Sequence, residues 1–111
     1  MFEISLNHVH DTIRIREGVE TITLKVDADA MRMVAGLNKA REILQGINEE
    51  TTEEQQRNAA LYFAEVIFGK EQAEQLMKFY RDDAGCVINV CGKYFAERLS
   101  GLIAKVQKKA K

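Results

Sequence analysis

The chain contains no proline, only two cysteines, no long apolar run and almost no net charge, and each of these lacks excludes something. Proline breaks helix interiors, so its absence leaves long helices permitted throughout. No apolar run approaches the ~20 residues of a membrane span. The opening "MFEISLNHVHDTIRIR" has no charged segment followed by an apolar one, so no signal peptide is expected and the setting expected is cytoplasmic. In that compartment thiols are normally reduced. A net charge of −1 supplies no global field to recruit nucleic acid or anionic lipid. There is no low-complexity linker. G-x-S-x-G, G-x-x-x-x-G-K-[ST] and G-x-G-x-x-G are all missing.

What is present reads as one soluble domain. At 111 residues, with 46% apolar and 30% charged side chains, the chain can bury a modest core without disulfides or metal. Ile13 and Ile15, then Ile22, Leu24 and Val26, alternate with Arg14, Arg16, Thr21, Thr23 and Lys25. A period of two predicts two half-buried strands joined through Gly18 in "REGVE", and "FEISL" is a candidate third strand. The period then changes. Met33, Leu37, Ala40, Leu44 and Ile47 form one helical stripe, with Asp27 or Asp29 as the expected cap. Thr51 and Glu54 have the spacing of a capping box for a second helix, whose buried stripe is Ala59, Phe63, Val66 and Ile67 and whose end is Gly69. A short third helix carries Ala73, Leu76, Met77 and Tyr80 on one face. "RDDAG" breaks it, and Asp82 or Asp83 caps a last helix that runs to the lysine-rich end. The expected fold is therefore α+β, mostly α. A short N-terminal β-hairpin (1–26) is followed by about four helices (27–111), with a lysine-rich tail at 105–111.

Cys86 and Cys91 lie five apart in the last predicted helix. That spacing gives ~7.5 Å of rise and ~140° of rotation, beyond the reach of an unstrained disulfide. Neither zinc-type nor C-x-x-C redox spacing is present. Ile88, Cys91, Phe95, Leu99, Leu102 and Val106 instead form a seam on which Cys91 acts as a small hydrophobe. The first turns of this helix are apolar nearly all round, which predicts a central buried element. "HVHD" places His8 and His10 on one side of an extended segment with Asp11 adjacent. Two imidazoles and a carboxylate suit zinc or copper, but the plain reading is a polar turn, and no metal or cofactor is assigned. Carboxylates elsewhere are scattered over helix faces, and none is marked as desolvated. Lys105, Lys108, Lys109 and Lys111 complement a helix C-terminus and offer little to nucleic acid. A non-catalytic protein is expected.

The second half, "LYFAEVIFGKEQAEQLMKFYRDDAGCVINVCGKYFAERLSGLIAKVQKKAK", resembles the tail assembly chaperones of long-tailed bacteriophages and prophages of Gram-positive hosts. The likeness rests on "FGKEQAEQLMKFY", the short break, and the long amphipathic helix with Tyr94–Phe95 and a lysine-rich end. It implies a non-catalytic chaperone in the host cytoplasm, absent from the finished virion, that binds the tape measure protein while tail tube subunits assemble. It also implies that a longer product can arise by frameshifting near the C-terminus. An apolar groove accepting an amphipathic helix would serve that role. The expected partner-binding residues are Phe79, Tyr80, Leu99, Leu102, Ile103 and Val106, and the same surfaces can also join copies of the chain. The competing readings are a small DNA-binding regulator, a structural tail or connector subunit, and a metal-dependent enzyme built on His8, His10 and Asp11.

Overall fold

The computed structural model describes residues 8–101, with the side chains of Ala30 and Met31 left aside. Two antiparallel strands, β1 (His8–Glu17) and β2 (Glu20–Asp29), are followed by α1 (Ala30–Gln45), α2 (Glu53–Phe68), α3 (Lys70–Phe79) and α4 (Ala84–Tyr94). A π-helical turn, Phe95–Leu99, continues α4. This is the hairpin-plus-four-helices, mostly α architecture expected. "FEISL", Leu102, Ile103, Val106 and the lysine tail lie outside the described residues. Among those described, no helix is long and apolar enough to cross a membrane.

The hairpin is longer than its aliphatic alternation suggests. "HVHD" is strand rather than polar turn, and β2 continues through Asp27 to Asp29, so the boundary with the helices falls at residue 29 and not at 26. The turn is the two-residue Gly18–Val19, with Gly18 at φ +63°, a value glycine adopts without a side-chain clash. Ile15 faces Ile22, Ile13 faces Leu24 and Val9 faces Ala28, which gives one apolar side to the sheet. Leu24, Val26 and Val9 on that side are fully buried.

The central helix is α2, not α4. It packs against α1, α3, α4 and β2, and buries Ala59, Ala60, Phe63, Ala64, Ile67 and Phe68. The small residues permit close approach. A Cβ at Gly36 of α1 would come within 3.0 Å of the Val66 methyls. On α4 only Val87 and Cys91 are buried. Its other apolar side chains are half-buried on the far side, because α4 has one helical neighbour face and a second face left toward β1. Cys91 packs as a small hydrophobe, and burial pushes its thiol up to about 12.

The caps show where local pattern and structure part. The box on α2 is Thr52 with Gln55, one residue after the expected Thr51–Glu54. Thr51 is already engaged, since its hydroxyl accepts the Asn48 N–H at 2.8 Å and closes the preceding turn. Asp27 does not cap α1, because it belongs to the outer face of β2. Asp83 does cap α4, accepting from the Cys86 N–H at 3.2 Å. Gly69, at φ +87°, both ends α2 and precedes α3. Past α3, the Arg81 N–H reaches the Lys78 carbonyl and the Asp82 N–H reaches the Met77 carbonyl, the bond pair of a Schellman stop. Arg81 and Asp82 therefore sit at φ +54° and +64°, where a side chain is strained.

Candidate partner-binding groove

An open groove of about 510 Å³ separates β1 from α4. Five consecutive β1 residues, Ile13 to Glu17, line it, so it follows the edge of the strand rather than one of its faces. From the other side come Asn89, Val90, Lys93, Tyr94 and Glu97, and Tyr80 closes one end. Ile13, Ile15 and Val90 are half-buried and supply an apolar floor. Arg14, Arg16, Lys93, Glu17 and Glu97 make a charged rim.

The groove is held open by a tie on each side of its floor. At one end the Tyr80 hydroxyl donates to Glu17 at 3.0 Å, and burial with that carboxylate pushes the phenol up to about 12. At the other, Asp11 accepts from the Tyr94 hydroxyl at 2.7 Å and from Arg98 Nε at 2.8 Å. The Arg98 guanidinium, with help from Tyr94, holds the Asp11 carboxyl below its ordinary range against the opposing effect of burial. Burial and then Asp11 raise the Tyr94 phenol in turn.

The π turn makes the second tie. In an unbroken α-helix Arg98 would lie ~20° around the axis from Cys91, nearly above it on the core face, with Leu99 ~80° away at the margin of the seam. One residue inserted by the wider turn sets the register back by ~100°. Leu99 then enters the core, fully buried, and Arg98 swings to Asp11.

The edge of β1 that borders the groove is unpaired with any strand among the described residues. Which groups it offers follows from β2. The N–H and C=O of Lys25 both point away from β1, to the Gln72 carboxamide at 2.7 Å each. The Thr12–Lys25 pair is therefore a non-hydrogen-bonded one, and by alternation Thr12, Arg14 and Arg16 turn their backbone groups outward.

Of the residues expected to bind a partner, Tyr80 lines the groove and Phe79 packs edge-on against it at 5.1 Å. Leu99 is buried within the chain and is occupied by internal packing. Ile13, Ile15, Val90 and Tyr94 were legible as apolar but not as a groove. For Val90 and Tyr94 the signal is the excess of apolar residues on α4, more than one packing face needs. His8 and His10 do share a side of β1, but Asp11 points the opposite way, into the tie with α4. The carboxylate that joins the histidines is Asp27. Compared with family models, curated proteins and solved structures, the chain finds no match.

Proposed function

We propose that this protein is a non-catalytic phage tail assembly chaperone, acting in the cytoplasm of the bacterial host on the tape measure protein. The observation that carries the reading is the groove: an apolar floor beside a strand edge that no strand pairs among the described residues. A long tape measure chain exposes apolar stretches that aggregate unless covered. A groove of this shape covers one stretch by strand addition. The segment lies extended along β1, its backbone pairs with Thr12, Arg14 and Arg16, and alternate side chains drop onto Ile13, Ile15 and Val90. That arrangement differs from the helix-in-groove mode expected above, because a helix has no backbone groups to give to the edge. Main-chain pairing tolerates many sequences, which suits several copies along one client. A half-open site also lets arriving tail tube subunits displace each copy.

The test is an affinity pull-down of the tagged protein from phage-producing cells, with the retained proteins identified by mass spectrometry. The wild type is expected to retain the tape measure protein, and Val90→Glu, which places a charge on the groove floor, to lose it while keeping its circular dichroism spectrum. Retention by both proteins alike would remove the groove from the reading. Recovery of DNA released by salt would favour a regulator instead, and presence in purified virions would favour a structural subunit.

A further inference from the structure

We propose that the outer face of the hairpin, opposite the core, carries a binding site for a divalent transition-metal ion, formed by His8, His10 and Asp27. The site is independent of the groove and of the chaperone reading.

Its construction follows from strand geometry. Residues two apart on a strand share a face, so the H-x-H of β1 sets two imidazoles side by side. Their rings stack with centroids 6.3 Å apart and planes 26° from parallel. The register places Asp27 of β2 directly opposite His10, and the Thr12–Lys25 alternation makes this also a non-hydrogen-bonded pair, in which side chains stand closest. The Asp27 carboxylate sits between the rings. Its Oδ1 meets His8 Nε2 in a hydrogen bond and lies 3.6 Å from His10 Nδ1. One donor atom from each of the three residues lies within 4.8 Å of the other two.

Tetrahedral zinc, with bonds of about 2.0–2.1 Å to nitrogen and oxygen, holds its donors about 3.3 Å apart. Donors within 4.8 Å of one another therefore need to close by at most about 1.5 Å, while the directly bonded His8–Asp27 pair opens to admit the ion. All three residues are exposed and free to change rotamer, and His10 is the most open. Two neutral imidazoles and one carboxylate form a borderline-soft donor set that suits zinc, copper or nickel better than magnesium or calcium. Three protein donors leave a fourth position for water. Because the donors come from both strands near the open end of the hairpin, a bound ion links β1 to β2 where the Gly18–Val19 turn does not.

The experiment is a calorimetric titration of zinc chloride into the metal-free full chain, with thermal unfolding recorded with and without zinc. One equivalent is expected to bind the wild type and to raise its unfolding midpoint. His10→Ala and Asp27→Asn are each expected to weaken binding by more than the ~10–100-fold typical of losing an outer-shell partner, and to abolish the midpoint shift. Both positions are exposed, so both variants keep the metal-free fold. Asp11→Asn, the sequence neighbour facing the other way, should bind zinc like the wild type. Absence of zinc binding in the wild type overturns the proposal, as does binding that survives both outer-face substitutions, which would place the ion elsewhere, for example at Cys86.

Discussion

β2 turns its free edge toward α3, where one side chain, Gln72, gives Lys25 both a donor and an acceptor in the manner of a neighbouring strand. β1 turns its other edge toward the groove, where Thr12, Arg14 and Arg16 direct their backbone groups outward with no partner strand among the described residues, and α4 stands off behind Ile13 and Ile15. An unpaired edge is a template for another chain. The protein caps one such edge at Lys25 and frames the other with an apolar floor and two ties, Tyr80–Glu17 and Asp11 with Tyr94 and Arg98. The hairpin is thus anchored through β2 and presented through β1.

The sharpest way to break this contrast is to truncate one apolar residue on each strand. Leu24→Ala on β2 empties a fully buried position and should cost about 3 kcal/mol in urea unfolding. Ile15→Ala on β1 removes a half-buried side chain from the groove floor and should cost about 1 kcal/mol. Equal losses would mean that β1 is as firmly seated as β2.

Asp11→Asn addresses the tie between β1 and α4, and should cost about 1.5 kcal/mol near neutral pH because a charge-assisted pair becomes a neutral one and Arg98 is partly solvated. The sign with pH is fixed by the lowered carboxyl. Asp11 contributes its stability fully above its ordinary 3.8, and that contribution is lost as pH falls below this value through the lower folded one. Unfolding midpoints measured from pH 6 to about pH 2 should therefore fall more steeply for the wild type than for Asp11→Asn. Parallel curves would show that Asp11 is not the coupled group.

Gln72→Ala uncaps Lys25 on the β2 edge. A loss of about 1 kcal/mol is expected, with faster hydrogen exchange at the Lys25 amide, while the amides of Thr12, Arg14 and Arg16 exchange as before. Unchanged exchange at Lys25 would mean that water replaces the carboxamide without consequence.

The smallest effect concerns the link between the helix that caps β2 at Lys25 and the helix that borders the groove. Arg81→Gly relieves a left-handed position in the α3 stop, and should raise stability by roughly 0.5 kcal/mol, since glycine's gain in the fold is partly offset by its freer unfolded chain. A loss in thermal unfolding would show that the Arg81 side chain contributes more than its backbone costs.

Much of this molecule is written locally. Alternation at Ile13, Ile15, Ile22, Leu24 and Val26 marks the hairpin, and stripes such as Ala73–Leu76–Met77 mark the helices, because side-chain period follows directly from backbone geometry. The reading of Cys91 as a core residue follows from the same periodicity. The misplacements are local competitions. Thr51 and Thr52 are both able to cap, and the choice went to Thr52 because Asn48 needed the other hydroxyl. Asp11 is the carboxylate next to the histidines in sequence, but a strand sends neighbours to opposite faces. Counting outward from the Gly18–Val19 turn leads to Asp27 instead.

Local pattern along the chain is enough to place the elements, to tell which face of each is apolar, and to keep the two thiols from pairing. Packing of the whole chain sets the rest: α2 rather than α4 is central, Asp11 and Arg98 meet across 87 residues through a π turn, and one hairpin edge is capped at Lys25 while the other borders a groove. The physical reason is range. Periodicity and caps act within a turn or two of the chain, whereas burial, edge covering and ion pairing depend on which surfaces the packed helices leave beside one another.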